Sequence, residues 1–498
     1  MANVDAKANE TALDHGAHPA ALGALVAGVA TLALMMIFGV LMRMQQAGYI
    51  DMGPMSFYEL MTLHGAGMVG IAGLTGIAIL WHFLSQYVRL SVGVFVTNLL
   101  LFLIGVVMIL LSVFGGHFHG AWTFLFPLPG IAQGTWSTGA AALFLGGMLV
   151  IGTGFLLLHL DIARAIIARH GGLGRALGWP QLFGNDPEPP PPPTIVASTM
   201  ATIVNLFGVA AGAIIIVMML VNLYYPGFGI DALFAKNLIY FFGHVFINAT
   251  IYMAVIAVYE ILPRYTQRPW KSNRAFLASW TASTIMVLFI YPHHLLMDFA
   301  MPTWALAMGH IIGYLNTFPI LVVTGYGGLM IVYRSGIRWD MASALLFTSL
   351  FGWAAGAMPA FIDGTIRVNY VMHNTLWVPG HFHTYLLLGM ITMVFGFLYF
   401  IGKSEREPRE NFLDRAAFAV FVVATLGFTL SFLYSGRESV PRRYAEHLPE
   451  WMPYDRVATV FAWLVVAAVL VFAVRFFTRL SAATRDAPRA RLAVTRSA

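Results

Sequence analysis

Apolar residues occur along this chain in long runs that are separated by short polar segments. A helix that crosses a membrane needs about 20 consecutive, predominantly apolar residues. Twelve runs satisfy this requirement, near residues 21–42, 62–85, 92–114, 137–160, 198–225, 237–262, 274–297, 304–332, 341–362, 378–402, 416–436 and 456–477. The pattern therefore predicts an all-α integral membrane protein with about twelve transmembrane helices.

The polar segments suggest one membrane domain, over residues 21–480, with a tail at each end. The N-terminal tail is 1–20, and the basic C-terminal tail is 481–498. Residues 183–194 contain a run of prolines, which favours extended polyproline II and cannot continue a helix. We expect this segment to link spans 4 and 5 on the cytoplasmic side. We expect no cleaved signal peptide, because the first apolar run is long enough to span.

Charge and composition support the membrane assignment. Only 10% of the residues are charged and 59% are hydrophobic, whereas soluble domains carry about 25% charged residues. Of the 28 Lys and Arg, 21 lie in the tails, in the even-numbered connections or at the span ends beside them, so the positive-inside rule places both termini in the cytoplasm. The net charge of +6 thus reflects topology in a bacterial or archaeal cell membrane and does not indicate nucleic-acid binding.

The chain contains no cysteine, which excludes disulfides and thiolate-ligated metal sites, including a cysteine-bridged copper pair. Histidine is then the main candidate for metal binding. Hydrocarbon strongly disfavours polar side chains, so a histidine in a spanning helix is a candidate functional residue. Six histidines have depths and spacings of this kind: His64, His244, His293, His294, His381 and His383.

His381 and His383 lie at the start of span 10, two residues apart. Two residues turn an α-helix by about 200°, so the two imidazoles point to opposite sides. One helix could therefore give one ligand to each of two hemes. The alternative is that both imidazoles form hydrogen bonds with neighbouring helices.

His293 and His294 follow Pro292 near the outer end of span 7. Adjacent helical side chains diverge by about 100°, but a proline disturbs the helix and could let both imidazoles converge on one ion. His244 in span 6 is a plausible third ligand. Three neutral imidazoles suit copper, iron or zinc, and the sequence leaves this choice open. The alternative is an interfacial pair that lipid headgroups solvate.

His64 lies at the predicted outer end of span 2, beside Gly65 and Gly67, which we expect to admit a bulky planar ligand. A second axial ligand for a heme at His64 is available in His383. His117 and His119 repeat the Gly-His-Phe-His pattern in an outer loop, and we expect no metal role for them.

Together these motifs resemble subunit I of the heme–copper oxidase superfamily, which includes respiratory oxygen reductases and nitric oxide reductases. The resemblance extends from Arg43 to Arg443. It depends on the segments Leu41-Met42-Arg43, Gly120-Ala121-Trp122-Thr123-Phe124, Pro292-His293-His294, the run from His373 to His383, and Pro441-Arg442-Arg443-Tyr444, together with His64 and His244.

The resemblance implies roles for individual residues. His64 and His383 are expected to be the axial ligands of a low-spin heme, and His381 the proximal ligand of a high-spin heme. His244, His293 and His294 are expected to bind copper or non-heme iron beside that heme. The expected cofactors are thus two hemes, of b type, and one metal ion. The other residues expected to bind cofactors are Arg442 and Arg443, at the heme propionates, together with Trp122 and Arg43.

The sequence departs from the oxidase pattern near His244. Many oxygen reductases carry a cross-linked tyrosine four residues after the corresponding histidine, and here that position is Asn248. In another oxidase branch the tyrosine lies six residues before the histidine pair, where this chain has Val287. Tyr291 is the nearest tyrosine to the pair along the chain and is a candidate substitute. An acid and a lysine of known proton pathways are also missing, at Phe246 and in 318–323.

These departures favour a membrane nitric oxide reductase, since joining two NO needs two electrons and no radical donor. The familiar nitric oxide reductases carry glutamate at the Asn248 position, so a less common branch is indicated. The catalytic residues would be the four histidines of the high-spin site with Asn248 and Tyr291. The expected partner is an electron-donating, subunit II-like protein containing cytochrome c or copper. The alternatives are a terminal oxygen reductase that uses Tyr291, and a transporter or heme-carrying assembly protein.

Overall fold

The structure is a computed structural model that describes residues 18–184, 186–402 and 411–494. Twelve of its helices are long and apolar enough to cross a membrane. In chain order, α1 to α12 are Pro19–Gln46, Gly53–Leu84, Val92–Gly115, Thr138–His170, Pro193–Tyr224, Ala232–Thr266, Arg274–Leu295, Thr303–Val332, Met341–Asp363, Trp377–Ile401, Phe412–Arg437 and Met452–Leu480. The predicted all-α membrane fold is confirmed.

Most helix ends lie within a few residues of the prediction, with three clear exceptions. The helix α4 ends at His170 rather than near residue 160. The helix α2 begins at Gly53 rather than near residue 62, because the less apolar residues before His64 are also helical. His64 therefore lies about three turns inside α2 instead of at its end. The last helix continues through the predicted tail to Val494, where we expected it to end near 477. Residues 1–17 and 495–498 of the predicted tails, and residues 403–410 between spans 10 and 11, lie outside the described residues.

The helices α2, α6 and α10 form the centre of the bundle. In their most apolar stretches 78%, 83% and 94% of the residues are buried, against 18–50% for the other nine spans. These three helices contact one another, while the pairs α3–α4, α4–α5 and α11–α12 pack around them. Four of the six candidate histidines lie on the central helices, so the fold places them away from lipid.

Polar caps begin several of the spans and satisfy backbone N–H groups that a helix leaves free at its first turn. Ser137 accepts from Ala140 N at the start of α4, and Asp231 accepts from Phe234 N at the start of α6. The extended part of the proline segment ends at Pro192, and α5 begins at Pro193, the last proline of the run. The predicted linker between spans 4 and 5 is therefore present, although residue 185 is outside the described residues.

The helices α9 and α10 approach unusually closely because α9 has glycine at the contact. A Cβ atom on Gly356 would lie 2.6 Å from Cα of Tyr385, and one on Gly352 would lie 2.1 Å from the carbonyl oxygen of Leu388. The facing segment of α10, Tyr385–Ile391, is π-helical. Such segments interrupt α-helices frequently at functional sites. This one directly follows the two histidines of α10.

Candidate heme and metal site

We call the end of the bundle with loops 116–136 and 438–451 the outer face, after the topology that the charges predict. His381 and His383 lie in the first turns of α10, at this end. Nδ1 of His381 donates to the carbonyl oxygen of Gly356 at 2.7 Å, and Nδ1 of His383 donates to that of Pro379 at 2.7 Å. In both rings the proton is thereby fixed on Nδ1, and Nε2 keeps its lone pair for a metal.

His383 and His64 face each other across the boundary between α10 and α2. Their ring centroids are 6.2 Å apart, and the ring planes differ by 16°. Nδ1 of His64 donates to the carbonyl oxygen of Met35 at 2.6 Å, which again leaves Nε2 free. Two metal–nitrogen bonds of about 2 Å, plus the distance from each nitrogen to its ring centre, span about 6 Å. The pair therefore fits the two axial positions of one heme iron.

The glycine that leaves space beside His64 is not one of the two that we expected, Gly65 and Gly67. The space beside Gly65 is filled by Trp122, whose Cδ1 would be 2.2 Å from an added Cβ, and the space beside Gly67 is filled by Met35. The glycine that makes room for the His64 ring is Gly39 on α1, where a Cβ would lie 2.8 Å from Cε1 of the imidazole. The expectation that Gly65 and Gly67 admit the ligand was wrong, since both contact protein side chains.

His244, His293 and His294 form one compact group. One ligand nitrogen from each lies within 4.8 Å of the other two, which is close enough for a single ion to bind all three. The residues Tyr291–Leu295 form a 3-10 turn at the end of α7, so the predicted disturbance at Pro292 is present. It brings the His293 and His294 ring centroids to 4.1 Å. The imidazoles thus converge as predicted, and their role as metal ligands stays a prediction.

His381 faces this group from α10 and interacts electrostatically with His244 and His293. His383 instead contacts Phe428 and Phe432 of α11, with ring centroids 5.4 Å away in each case. The two imidazoles of α10 therefore point to different sides, as the spacing predicts. The helix α10 therefore lies between two sites. One contains the facing imidazoles of His64 and His383. The other contains the group of three imidazoles, with His381 opposite it.

Asn248 lies beside His244, one turn further along α6. Its Nδ2 lies 2.6 Å from Nε2 of His244 and donates to the carbonyl oxygen of His244 at 3.0 Å. Nδ1 of His244 lies 2.9 Å from Nε2 of His294, on the side where the three imidazoles meet. Thus Nδ1 is the nitrogen of His244 that faces the candidate metal position, and the amide contacts the opposite nitrogen.

Tyr291 does not contact the imidazole group through its hydroxyl. That hydroxyl donates to Oδ1 of Asn237 at 2.8 Å. A second tyrosine, which the sequence analysis missed, is Tyr240, whose ring stacks on His294 with centroids 5.7 Å apart. It lies four residues before His244, and this helical spacing was the signal that could have revealed it.

Arg442 and Arg443 lie above the start of α10. The loop that carries them pairs with the segment before α10: Leu376 N donates to Val440 O at 2.9 Å, and Arg442 N donates to Asn374 O at 2.9 Å. Burial, together with the nearby Arg443 guanidinium, lowers the pKa of Arg442 to about 10, so it remains protonated at neutral pH. Two cations close to the imidazoles of α10 suit the carboxylates of a porphyrin.

Arg43 makes a different contact from its expected one. Its Nη1 forms a buried ion pair with Oδ1 of Asp455 on α12 at 2.8 Å, and its guanidinium lies 4.7 Å from the ring centre of Phe432. The sequence analysis missed Asp455, which lies 412 residues from Arg43 along the chain. Binding of Arg43 to a cofactor stays a prediction.

Polar side chains continue from Asn248 towards the inner face. Tyr252 lies one turn below Asn248 and contacts Asn316 of α8. Two turns further, the hydroxyls of Tyr259 and Thr324 are hydrogen-bonded at 2.6 Å. The Asn316 Oδ1 and Tyr385 hydroxyl atoms are buried without a partner in the described part of the chain. Buried polar atoms of this kind are commonly satisfied by water.

This polar line reaches a cavity of about 410 Å³ at the inner face. Tyr259, Glu260 and the prolines 190–193 are among its lining residues. The Glu260 carboxylate accepts hydrogen bonds from Tyr87, at 2.8 Å, and from Thr194. Glu260, near the inner end of α6, thus lies at the opening of this cavity.

Three further histidines among the described residues, His117, His119 and His373, lie outside these groups. Nδ1 of His119 bonds to the carbonyl oxygen of His117, and His117 pairs with Glu59 at 2.9 Å. Neither belongs to the metal-sized group found among the described residues. His373 lies near Arg442 and Arg443.

Comparison with known proteins is consistent with this arrangement. A family model described as cytochrome c and quinol oxidase polypeptide I matches residues 20–476. The chain is 23% identical over 382 residues to cytochrome c oxidase subunit 1 of Thermostichus vulcanus, covering 74% of this chain and 64% of that relative. It is 24% identical over 262 residues to heme-copper oxidase subunit I+III of Aeropyrum pernix, covering 52% of this chain and 31% of that relative.

A solved structure described as a heme-copper terminal oxidase dimer superposes with a TM-score of 0.76, at 20% identity, over 93% of this chain and 84% of that one. At this identity the similarity supports the fold alone. The family model, by contrast, extends from the start of α1 to the last turns of α12 and thus includes all six histidines. The chain belongs to the heme–copper oxidase subunit I family.

Proposed function

We propose that this protein is the catalytic subunit of a membrane nitric oxide reductase. The overall reaction is 2 NO + 2 e⁻ + 2 H⁺ → N2O + H2O. The observation that carries the proposal is the 2.6 Å contact between Asn248 Nδ2 and His244 Nε2. It puts an amide against the metal-site imidazole, at the position where many oxygen reductases carry their cross-linked tyrosine.

An amide donates and accepts hydrogen bonds, but it does not readily release an electron or a proton. Within the described part of the chain, no tyrosine hydroxyl is hydrogen-bonded to His244, His293 or His294. The hydroxyl of Tyr291 is engaged with Asn237. Four-electron cleavage of O2 benefits from a phenol at the metal site, whereas coupling two NO molecules needs two electrons only. The residues at the site therefore favour NO.

The imidazoles suit the proposed cofactors. His64 and His383 would hold a low-spin heme, His381 a high-spin heme, and His244, His293 and His294 a copper or iron ion. When bound, these groups supply the electrons for the reaction and the binding positions for NO. A backbone carbonyl accepts the Nδ1–H of four of these imidazoles, namely His64, His293, His381 and His383, and so fixes which nitrogen is free.

Electron transfer through α10 follows from this arrangement. The two heme ligands His383 and His381 are separated by one residue of the same buried helix. We infer that an electron-donating subunit, carrying cytochrome c or copper, docks at the outer face. Arg442 and Arg443 lie there, above the start of α10, and would hold the heme propionates.

Proton supply is supported by the polar line below Asn248. Its members lie between the Glu260 cavity at the inner face and the amide next to His244: Tyr259 lines the cavity, and Tyr252 lies one turn below Asn248. Hydroxyl and amide groups linked by water transfer protons without carrying a charge themselves. We infer that at least part of the proton demand is met from the inner face.

The second candidate is a terminal oxygen reductase. The names of the similar proteins favour it, since those of Thermostichus vulcanus and Thermus thermophilus are cytochrome c oxidase subunits. It requires another electron and proton donor near the metal, and Tyr291 is the candidate. Under this alternative, Tyr291→Phe should abolish turnover; under our proposal the variant should keep NO reduction within a few-fold of the parent protein.

The deciding experiment gives the purified complex either NO or O2 with the same electron donor, while N2O formation and O2 consumption are measured. We expect N2O from NO at one molecule per two electrons and slow O2 consumption. Rapid four-electron O2 reduction with negligible N2O would overturn the proposal and support the oxidase. The variant His294→Ala serves as the control, because it should remove either activity.

A further inference from the structure

His294 differs from the other five candidate ligands in the contacts of its ring nitrogens. Each of the other five imidazoles has a backbone carbonyl or the Asn248 amide against the nitrogen that does not face a cofactor position. Nε2 of His294 lies 2.9 Å from Nδ1 of His244, on the side where the three imidazoles meet. Its Nδ1 has no hydrogen-bond partner among the residues that the structure describes. No hydrogen bond of this kind therefore orients the His294 ring.

A histidine that binds a metal needs some contact to set the plane of its ring. The last torsion angle of the side chain is broad and roughly two-fold, so the side chain alone does not select one orientation. A metal ligand has to place its nitrogen within about 0.2 Å of the ideal distance. The ring orientation is usually fixed by a hydrogen bond from the second nitrogen. For His294 a different contact has to do this.

Tyr240 presents a flat surface to the His294 ring. The two ring centroids are 5.7 Å apart and the ring planes differ by 23°. Offset aromatic pairs prefer centroid distances of about 4.5–7 Å. Tyr240 lies on α6, four residues before His244, so the two side chains are on the same face of this helix. One helix thus supplies one of the three imidazoles and a support for another.

The Tyr240 side chain is itself held by residues of α7 and α8. It packs against a small buried cluster formed by Leu295, Met301 and Ala305. Leu295 is the residue directly after His294, and Ala305 lies in the first turn of α8. Close packing of this kind restricts the movement of a side chain. The tyrosine ring therefore keeps its position relative to the segment that carries His294.

The other contacts of these two residues do not replace the stack. Among the described residues, the other rings against His294 are those of His293 and His244, with centroids 4.1 and 5.1 Å away. Both are candidate ligands of the same ion, and both are oriented by partners of their own. The Tyr240 hydroxyl lies near the arginine pair of the outer loop and makes no hydrogen bond within the described part of the chain. Tyr240 thus contributes through its ring.

We propose that Tyr240 is a positioning residue of the metal site, whose ring holds the His294 imidazole in the plane in which Nε2 points at the ion. Tyr240 acts through His294 and is not itself a ligand. Without the tyrosine ring, the imidazole turns between orientations, of which only one can bind. The inference rests on the metal site of the proposed function, but not on whether the complex reduces NO or O2.

The test compares Tyr240→Phe, which keeps the ring, with Tyr240→Leu, which removes it, in the whole complex. The first measurement is the dissociation constant of the third metal, obtained by competition with EDTA. A stacked aromatic pair changes an equilibrium constant by about 2- to 12-fold. We expect the dissociation constant to rise within this range in Tyr240→Leu and to equal that of the parent in Tyr240→Phe. Both hemes should remain in both variants.

A second measurement distinguishes positioning from a general loss of packing. The infrared stretching band of CO on the reduced high-spin heme responds to the location of the ion that faces it. We expect one narrow band in the parent and in Tyr240→Phe, and a shifted or split band in Tyr240→Leu. Phe242→Leu is the matched control, because Phe242 is on the same helix but packs against Gly212 and Phe246. Its band and its metal affinity should equal those of the parent.

An unchanged dissociation constant with an unchanged CO band in Tyr240→Leu would overturn the proposal. The same changes in Tyr240→Phe as in Tyr240→Leu would also overturn it, because the phenylalanine ring is still present. If Tyr240→Leu lost both hemes, Tyr240→Met would be measured in its place, since methionine fills more of the space without a ring. Loss of both hemes there too would show a role in folding and would overturn the proposal.

The outcome is separate from that of the proposed function. A parent protein without a third metal would overturn the metal site itself, and metal analysis would show this before any variant is made. With the metal present, the affinity and the CO band decide the role of Tyr240, whereas the gas assay decides the reaction.

Discussion

Asn248 and His244 lie one helical turn apart on α6, with the amide nitrogen of Asn248 2.6 Å from Nε2 of His244. A neutral imidazole that binds a metal through Nδ1 carries its proton on Nε2. The amide oxygen of Asn248 then has to accept a hydrogen bond from this N–H, and a rotation of the amide group by about 180° brings the oxygen into that place. Asparagine can thus hold His244 both with and without a bound metal, because it offers a donor and an acceptor in the same place.

Asn248→Leu should therefore reduce NO turnover or metal occupancy by about 10- to 100-fold, the usual effect of removing a hydrogen-bond partner of a metal ligand. Both hemes should remain, since none of their proposed ligands is touched. Metal analysis and N2O formation by the purified variant check the expectation. Asn248→Gln, which keeps the amide, is the matched comparison. Full activity in the leucine variant would show that the contact is only structural.

The two histidines of α10 should be separable by spectroscopy. His383→Ala should remove the low-spin heme signal and retain the high-spin one, and His381→Ala should have the reverse effect, because the rings face different sites. Absorption and electron paramagnetic resonance spectra, with heme content per chain, measure this. If either variant lost both signals while the protein remained folded, the assignment of one heme to each side of α10 would be wrong.

Replacement of His293 should remove the third metal without removing either heme. In the structure, its Nδ1 donates to Ile290 O at 2.7 Å, and its Nε2 is left for the ion. His293→Ala should lower the bound copper or non-heme iron to a small fraction of the parent value and abolish gas reduction. Elemental analysis beside a heme assay provides the measurement. His119→Ala, in the outer loop, should leave both quantities unchanged.

Tyr259 and Glu260 should affect the rate of turnover without affecting the cofactors. Tyr259→Phe removes the hydroxyl that bonds to Thr324, and Glu260→Gln removes the charge at the inner cavity. We expect about 100-fold slower turnover in each, the lower end of the range for lost proton-transfer groups, with unchanged heme spectra. Tyr326→Phe is the control, since Tyr326 is 63% exposed on the outside of α8. Rates equal to the parent in both variants would indicate another proton route.

His373, at the outer face, should make the folded protein less stable at acidic pH. Burial, with the nearby Arg442 and Arg443, lowers the pKa of His373 from 6.5 to about 4. Between these two values the unfolded chain binds a proton that the folded chain does not, so stability decreases as the pH falls. His373→Asn should reduce this decrease by on the order of 1 kcal/mol, with allowance for partial solvent screening. Thermal inactivation of parent and variant at both ends of this window measures the difference.

The fold was largely predictable, because length and hydropathy alone distinguish spanning helices from loops. The start of α2 was missed because residues 53–61 are helical but not strongly apolar. Nothing in the hydropathy pattern shows which helices are central. The burial of α2, α6 and α10 depends on close packing at glycines such as Gly356, and this requires knowledge of the neighbouring helix.

The convergence of the three imidazoles could be predicted. Pro292 disturbs the helix beside His293 and His294, and His244 lies in the preceding span, so few other arrangements of these side chains were plausible. The partners of those residues were not predictable. Asp455 is distant in sequence from Arg43. Contacts of this kind arise from tertiary packing between α1 and α12, and local patterns do not encode them.

The close approach of α9 and α10 at Gly356 has a consequence for how the two imidazole sites can vary. The same glycine accepts the hydrogen bond of His381 and touches the backbone of Tyr385, so a larger residue there would displace the helix that also carries His383. Any such displacement moves both ligands together. The two imidazole sites are thus mechanically linked, because a substitution at Gly356 changes the position of a ligand in both.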